Sequence, residues 1–203
     1  MKKIVSLFAL ALAFGATTAS ADPLMTYDYL DAAYQWRHND GHDLEDSNGL
    51  DTKLSVSPLE NFALEGGYNY ARADVLKNGF NFNQWTYGVV GFYEICPGIH
   101  VLARGGAKHF NTNGSVAGVD ISDGVERVYG GLGSRYLLTD DIEVDADITY
   151  TAANETTING SGPNWNYAGT GFLTVAENVA LKAGVSIDNN TNVALTGGVR
   201  VTM

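Results

Sequence analysis

The 203-residue sequence has one cysteine, so no internal disulfide framework can staple it. It is poor in bases: 12 Lys and Arg stand against 23 Asp and Glu, a formal net charge of −11. Gripping a phosphate backbone needs a basic face, which excludes nucleic acid as an expected partner. After the first 21 residues no stretch approaches the roughly 18 consecutive apolar residues of a membrane-spanning helix. Hydrophobic residues are not scarce, however. At 45% of the chain they exclude a disordered acidic tail, and the length suits a single domain.

The N-terminus reads as an address. Lys2 and Lys3 form a cationic start, Ile4 to Ala16 is apolar, and Ala19-Ser20-Ala21 is an A-x-A cleavage site. These parts predict a secretory signal peptide over 1–21, of bacterial character, and an exported mature chain over 22–203. The apolar stretch is too short to span a bilayer as an anchor.

Beyond Asp22 the chain alternates with period two. Ile142, Val144, Ala146, Ile148 and Tyr150 interleave with Glu143, Asp145, Asp147 and Thr149. Leu50, Thr52, Leu54 and Val56 interleave with Asp51, Lys53, Ser55 and Ser57. Successive strand side chains point to opposite faces, so each run predicts a strand with one apolar face. Ten runs follow, at about 28–37, 50–57, 62–72, 83–95, 99–110, 125–138, 142–151, 165–175, 179–188 and 192–202. Short turns, marked by Glu60, Pro97, Asp140 and Glu177, alternate with longer polar loops at 39–49, 73–82, 111–124 and 154–164. This is a hairpin repeat with one tight and one long connection. Paired glycines (Gly66-Gly67, Gly105-Gly106, Gly130-Gly131, Gly197-Gly198) suit tight curvature or β-bulges.

Three features point the apolar face toward lipid. Aromatics sort by height: Tyr34, Trp36, Tyr68, Tyr70, Trp85, Tyr87, Tyr150, Trp165 and Tyr167 lie beside the long loops. Phe62, Tyr93, Tyr136 and Phe172 lie toward the short turns. Two such bands match interfacial girdles. The opposite face gathers acids and bases in near balance: Asp31, Asp51, Glu65, Glu94, Glu143, Asp145 and Asp147 with Arg37, Lys53, Arg104, Lys108, Arg127, Arg135, Lys182 and Arg200. In a narrow lumen each carboxylate needs a paired cation. Finally, short turns at one end and long loops at the other are the outer-membrane pattern, and closing the sheet removes its edges.

On these residues the sequence resembles the small Gram-negative outer-membrane β-barrel proteins, the porin-like outer-membrane β-barrel domain group, over the whole mature chain. The resemblance implies an antiparallel up-and-down transmembrane barrel of about ten strands, with eight possible if one hairpin lies outside. It also implies location in the outer membrane and contact with lipid and lipopolysaccharide. Family members usually end in an aromatic residue. Here the last strand, with Val193, Leu195, Gly197, Val199 and Val201 outward, ends in Met203.

No catalytic, cofactor or metal constellation stands out. The candidate site is structural: a lumen charge network of Glu65, Glu94, Arg104, Lys108, Arg127, Arg135, Glu143, Asp145, Asp147, Lys182 and Arg200. A second candidate is the acidic external loop with Asp40, Asp43, Glu45 and Asp46, where cations, basic partner surfaces or metal-bridged lipopolysaccharide would bind. His38 and His42 share that loop without the ligand spacing of a calcium loop. His100 and His109 fall on opposite faces of one strand. Cys96, in a Cys-Pro-Gly turn, reads as a free thiol. The leading expectation is a non-enzymatic barrel with a structural or surface-interaction role. The alternatives are a narrow cation-preferring pore and a soluble exported barrel binding an apolar ligand. The sequence leaves the oligomeric state open.

Overall fold

The computed structural model describes residues 25–38, 46–75, 78–116, 119–153 and 163–203. The predicted signal peptide and Asp40, His42, Asp43 and Glu45 lie outside these residues.

Each alternating run forms a strand: β1 (Tyr29–His38), β2 (Ser47–Leu59), β3 (Phe62–Val75), β4 (Asn78–Cys96), β5 (Ile99–Val116), β6 (Val119–Thr139), β7 (Ile142–Thr151), β8 (Asn164–Ala176), β9 (Val179–Asp188) and β10 (Val193–Thr202). Neighbours pair in chain order, and β1 pairs antiparallel with β10 to close the ring. All ten strands belong to the barrel, so no hairpin lies outside it. Four short turns are preceded by a register shift, at Val56/Leu59, Glu94/Cys96, Leu137/Thr139 and Thr174/Ala176. Such bulges end a ladder by adding local twist.

Two stretches expected to be loops differ. Pairing of β3 with β4 continues to Val75↔Asn78, and that of β5 with β6 to Val116↔Val119. The segments at 73–82 and 111–124 are therefore largely strand. Their Asn, Asp, Ser and Gly residues read as loop because such residues favour turns and interrupt the apolar alternation, yet the backbone pairing continues through them. As a result β4, β5 and β6 run to 19, 18 and 21 residues while β7 has 10. One wall of the barrel stands well above the other.

The registers stagger by about 12 residues on one circuit, and ten strands so staggered tilt by about 40°. Glycine makes the inner curvature possible at specific points. A Cβ on Gly198 would collide with the Ala32 carbonyl of β1, whereas one on neighbouring Gly197, facing outward, would meet nothing within 4 Å.

The barrel is apolar outside and charged inside. Leu54, Leu64, Val128, Leu132, Ile148, Leu181 and Val185 all point outward and exposed, with Leu132 at 69%. The girdle aromatics near the long-loop end, from Tyr34 to Tyr167, share this outward face, and Tyr93 and Tyr136 form its counterpart near the short turns. Phe172 departs from the expectation. It has the parity of Asn166, Ala168 and Thr170, points into the lumen and is 3% exposed. An exposed apolar belt around a charged interior is stable in lipid and unstable in water. Among the described residues no helix is long and apolar enough to cross a membrane.

Candidate functional site

The inward positions near the short-turn end converge into a layer spanning the lumen. Asp31 of β1 and Arg200 of β10 are cross-strand partners at the closing seam. Arg200 Nε donates to Asp31 Oδ1 at 2.8 Å, Nη2 to Asp31 Oδ2 at 3.1 Å, and Nη1 to Glu143 Oε1 at 3.0 Å. Its guanidinium lies between two rings, 3.9 Å from the Tyr29 centroid and 3.7 Å from that of Phe172. Arg135 shares the same Glu143 oxygen at 3.2 Å and meets its cross-strand partner Asp145 at 3.2 Å. Lys182 adds a 3.0 Å contact to Asp31.

These groups are as buried as an ordinary protein core. Arg135 and Tyr29 are 0% exposed, and Asp31 and Glu143 are 1%. Charges so deep persist only when paired and hydrogen-bonded, and bidentate arginine–carboxylate geometry is the strongest form of such pairing. The lower layer thus holds its charges out of contact with solvent.

A short apolar plug backs this layer. The segment before β1 turns into the mouth, where Tyr27 packs with Ala63, Val90 and Leu102. Its ring stacks on Phe92 at a centroid distance of 3.6 Å. Its hydroxyl lies 3.0 Å from His100 Nδ1, and Arg135 sits 4.4 Å above the ring. Arg135 Nη1 also donates to the Thr26 carbonyl at 3.0 Å. Burial pushes the Tyr27 phenol well above its ordinary value, so the ring remains neutral.

A second layer lies above the first. Lys53 meets Glu65 at 2.5 Å, Tyr29 donates to the same carboxylate oxygen at 3.2 Å, and Arg104 donates to Asp147 at 2.5 Å. Higher still, Lys108 donates to Thr151 Oγ1 at 3.3 Å, and Arg127 lies 5.4 Å from the Phe110 centroid.

The structure therefore brings Glu65, Arg104, Arg135, Glu143, Asp145, Asp147, Lys182 and Arg200 into two paired layers, and sets Lys108 and Arg127 above them. Glu94 stands apart: it is exposed at the short-turn mouth, accepting from the Gly98 N–H at 3.3 Å. Of the acidic external group only Asp46 is described; it lies 2.7 Å from His38 Nδ1. Among the described residues no group of three His, Cys, Asp or Glu side chains could hold a metal. The Cys96 thiol is exposed.

Sequence reasoning missed Tyr27, Tyr29 and Phe172. Parity was the available signal for the last two: each shares its strand face with polar residues, and an aromatic on a charged face packs arginine. Nothing in the pattern marks Tyr27, which precedes the first strand.

Residues 6–172 match the family described as outer membrane protein beta-barrel domain. The chain belongs to that family. Among solved structures it is similar to the translocator domain of the autotransporter NalP from Neisseria meningitidis, at 13% identity and a TM-score of 0.52, covering 100% of this chain and 96% of that one. It is also similar to the NanC porin, at 11% identity and a TM-score of 0.52, covering 86% and 100%. At such identities the likeness is one of fold. No curated protein matches the sequence.

Proposed function

We propose that this outer-membrane barrel protein is a closed, non-enzymatic barrel of the outer membrane with a structural or surface-interaction role at its long-hairpin end. The observation behind this reading is the lower layer, where Arg135, Glu143, Asp31 and Tyr29 have almost no solvent contact. Small barrels fill their interiors with side chains, and this layer argues against a continuous water path and so against a cation-preferring pore.

The surface role draws support from the tall wall of β3–β6. Between Val119 and Gly124, β6 pairs with β5 alone among the described strands, because pairing with β7 begins at Tyr129↔Thr151. A strand edge standing clear of the membrane is a template for another chain. The acids Asp40, Asp43, Glu45 and Asp46 add a negative charge suited to cations, basic surfaces or metal-bridged lipopolysaccharide.

Single-channel recording of the refolded mature chain in a planar bilayer tests the reading. The expected result is stable insertion without conductance steps. Discrete cation-selective steps from the folded wild-type barrel would favour the pore.

A further inference from the structure

The lumen changes its charge balance with height. In the two lower layers Arg135, Arg200, Lys182, Lys53 and Arg104 each contact a carboxylate. Above them stand further cations. Lys108 of β5 and Arg127 of β6 are directly opposed cross-strand partners. Arg37 of β1 shares the inward face of its strand with Asp31, and the stagger of the registers sets it at about the height of Lys108.

Lys108 has neutral company. Its Nζ donates to Thr151 Oγ1 at 3.3 Å and lies 5.2 Å from the Tyr129 ring centre. Among the described residues no carboxylate comes within 4.0 Å of Lys108 or Arg37. Nearby described acids are engaged elsewhere. Asp188 accepts from the backbone N–H groups of Asn190 and Asn192 in the β9–β10 turn, at 2.9 and 3.1 Å, and Asp51 accepts from Asn69 at 3.5 Å. Solvent reaches this level: Lys108 and Arg127 are half-buried and Arg37 is exposed.

We infer that the upper lumen is a cationic cup that binds a small soluble oxyanion, a phosphate or carboxylate group, on Lys108 with Arg37 beside it. Ammonium and guanidinium groups at the mouth of a low-dielectric cleft focus potential onto an anion and hydrogen-bond its oxygens. The strands fence the cup on all sides, so the ligand enters from the aqueous long-hairpin end and is not a headgroup arriving through the bilayer. That the cup is blind rests on the closed-barrel reading; that it binds an anion does not.

The test is calorimetric titration of inorganic phosphate into the refolded mature chain, in neutral detergent and phosphate-free buffer of low ionic strength. Saturable binding at one site is expected. Lys108→Gln should weaken it by about tenfold, Arg37→Gln should weaken it as well, and Lys108→Arg should largely retain it. Arg72→Gln, removing an exposed cation on the outer face, should leave it unchanged, and lipid A in the micelle should not compete. Heat-dependent gel migration verifies that each variant is folded. Absence of saturable binding to wild type, unaltered binding in folded Lys108→Gln or Arg37→Gln, equal loss in Arg72→Gln, or displacement by lipid A would each overturn the inference. Conductance is read separately: a conducting barrel with Lys108-dependent phosphate binding would remove the seal and keep the site.

Discussion

Arg200 of the last strand holds Asp31 of the first through two nitrogens, at 2.8 and 3.1 Å, and reaches Glu143 of β7, three strands away, with a third at 3.0 Å. One side chain thus locks the seam where the ring closes and ties it to β7. A closed barrel has no free edge only if this seam forms, and a doubly hydrogen-bonded arginine–carboxylate pair sits on it.

Breaking that network at one member should be costly, because the remaining charges stay buried. Glu143→Ala is expected to lower stability by about 3–5 kcal/mol, measured by urea unfolding in lipid vesicles. Replacing Arg200 and Asp31 together by Met and Leu should cost less than the sum of the two single changes, since each single change strands the buried charge of the other. Additive losses would contradict the coupling.

The plug and the seal should separate. Tyr27→Ala removes a buried, stacked ring and should cost about 3 kcal/mol, yet the intact Arg135–Glu143–Arg200 layer should keep the barrel silent in a bilayer. Channel activity from this variant would mean that Tyr27, not the charge layer, closes the lumen.

Gly198 and Gly197 form a matched pair. Gly198→Ala sets a methyl group against the Ala32 carbonyl and should destabilise the barrel by about 1–3 kcal/mol, while Gly197→Ala should be close to neutral. The same unfolding assay compares them.

The outer face provides a test of solvent. Leu132→Arg, at a position 69% exposed, should cost about 2–4 kcal/mol in a bilayer if the position lies near its midplane. On a barrel bathed in water the same surface change would be nearly silent.

Strand existence and facing were legible because they depend on a local rule. In a lipid-embedded barrel every second side chain must be apolar, so Leu50 to Ser57 or Ile142 to Thr151 announce their strand and its faces without any partner. Strand length was less legible: at 73–82 and 111–124 the apolar alternation vanishes, and only pairing with the neighbouring strand reveals the hairpin. Parity likewise placed Arg135, Glu143, Asp145 and Arg200 on one inner surface, but not at one height. That height follows from the stagger of ten registers around the ring, a sum no single strand contains. It brings Arg200 to Glu143 across three strands, slides Phe172 beneath a guanidinium, and leaves Lys108 above the last described carboxylate pair. The sequence by itself determined the kind of surface each residue would face; closure of the barrel decided which charges meet.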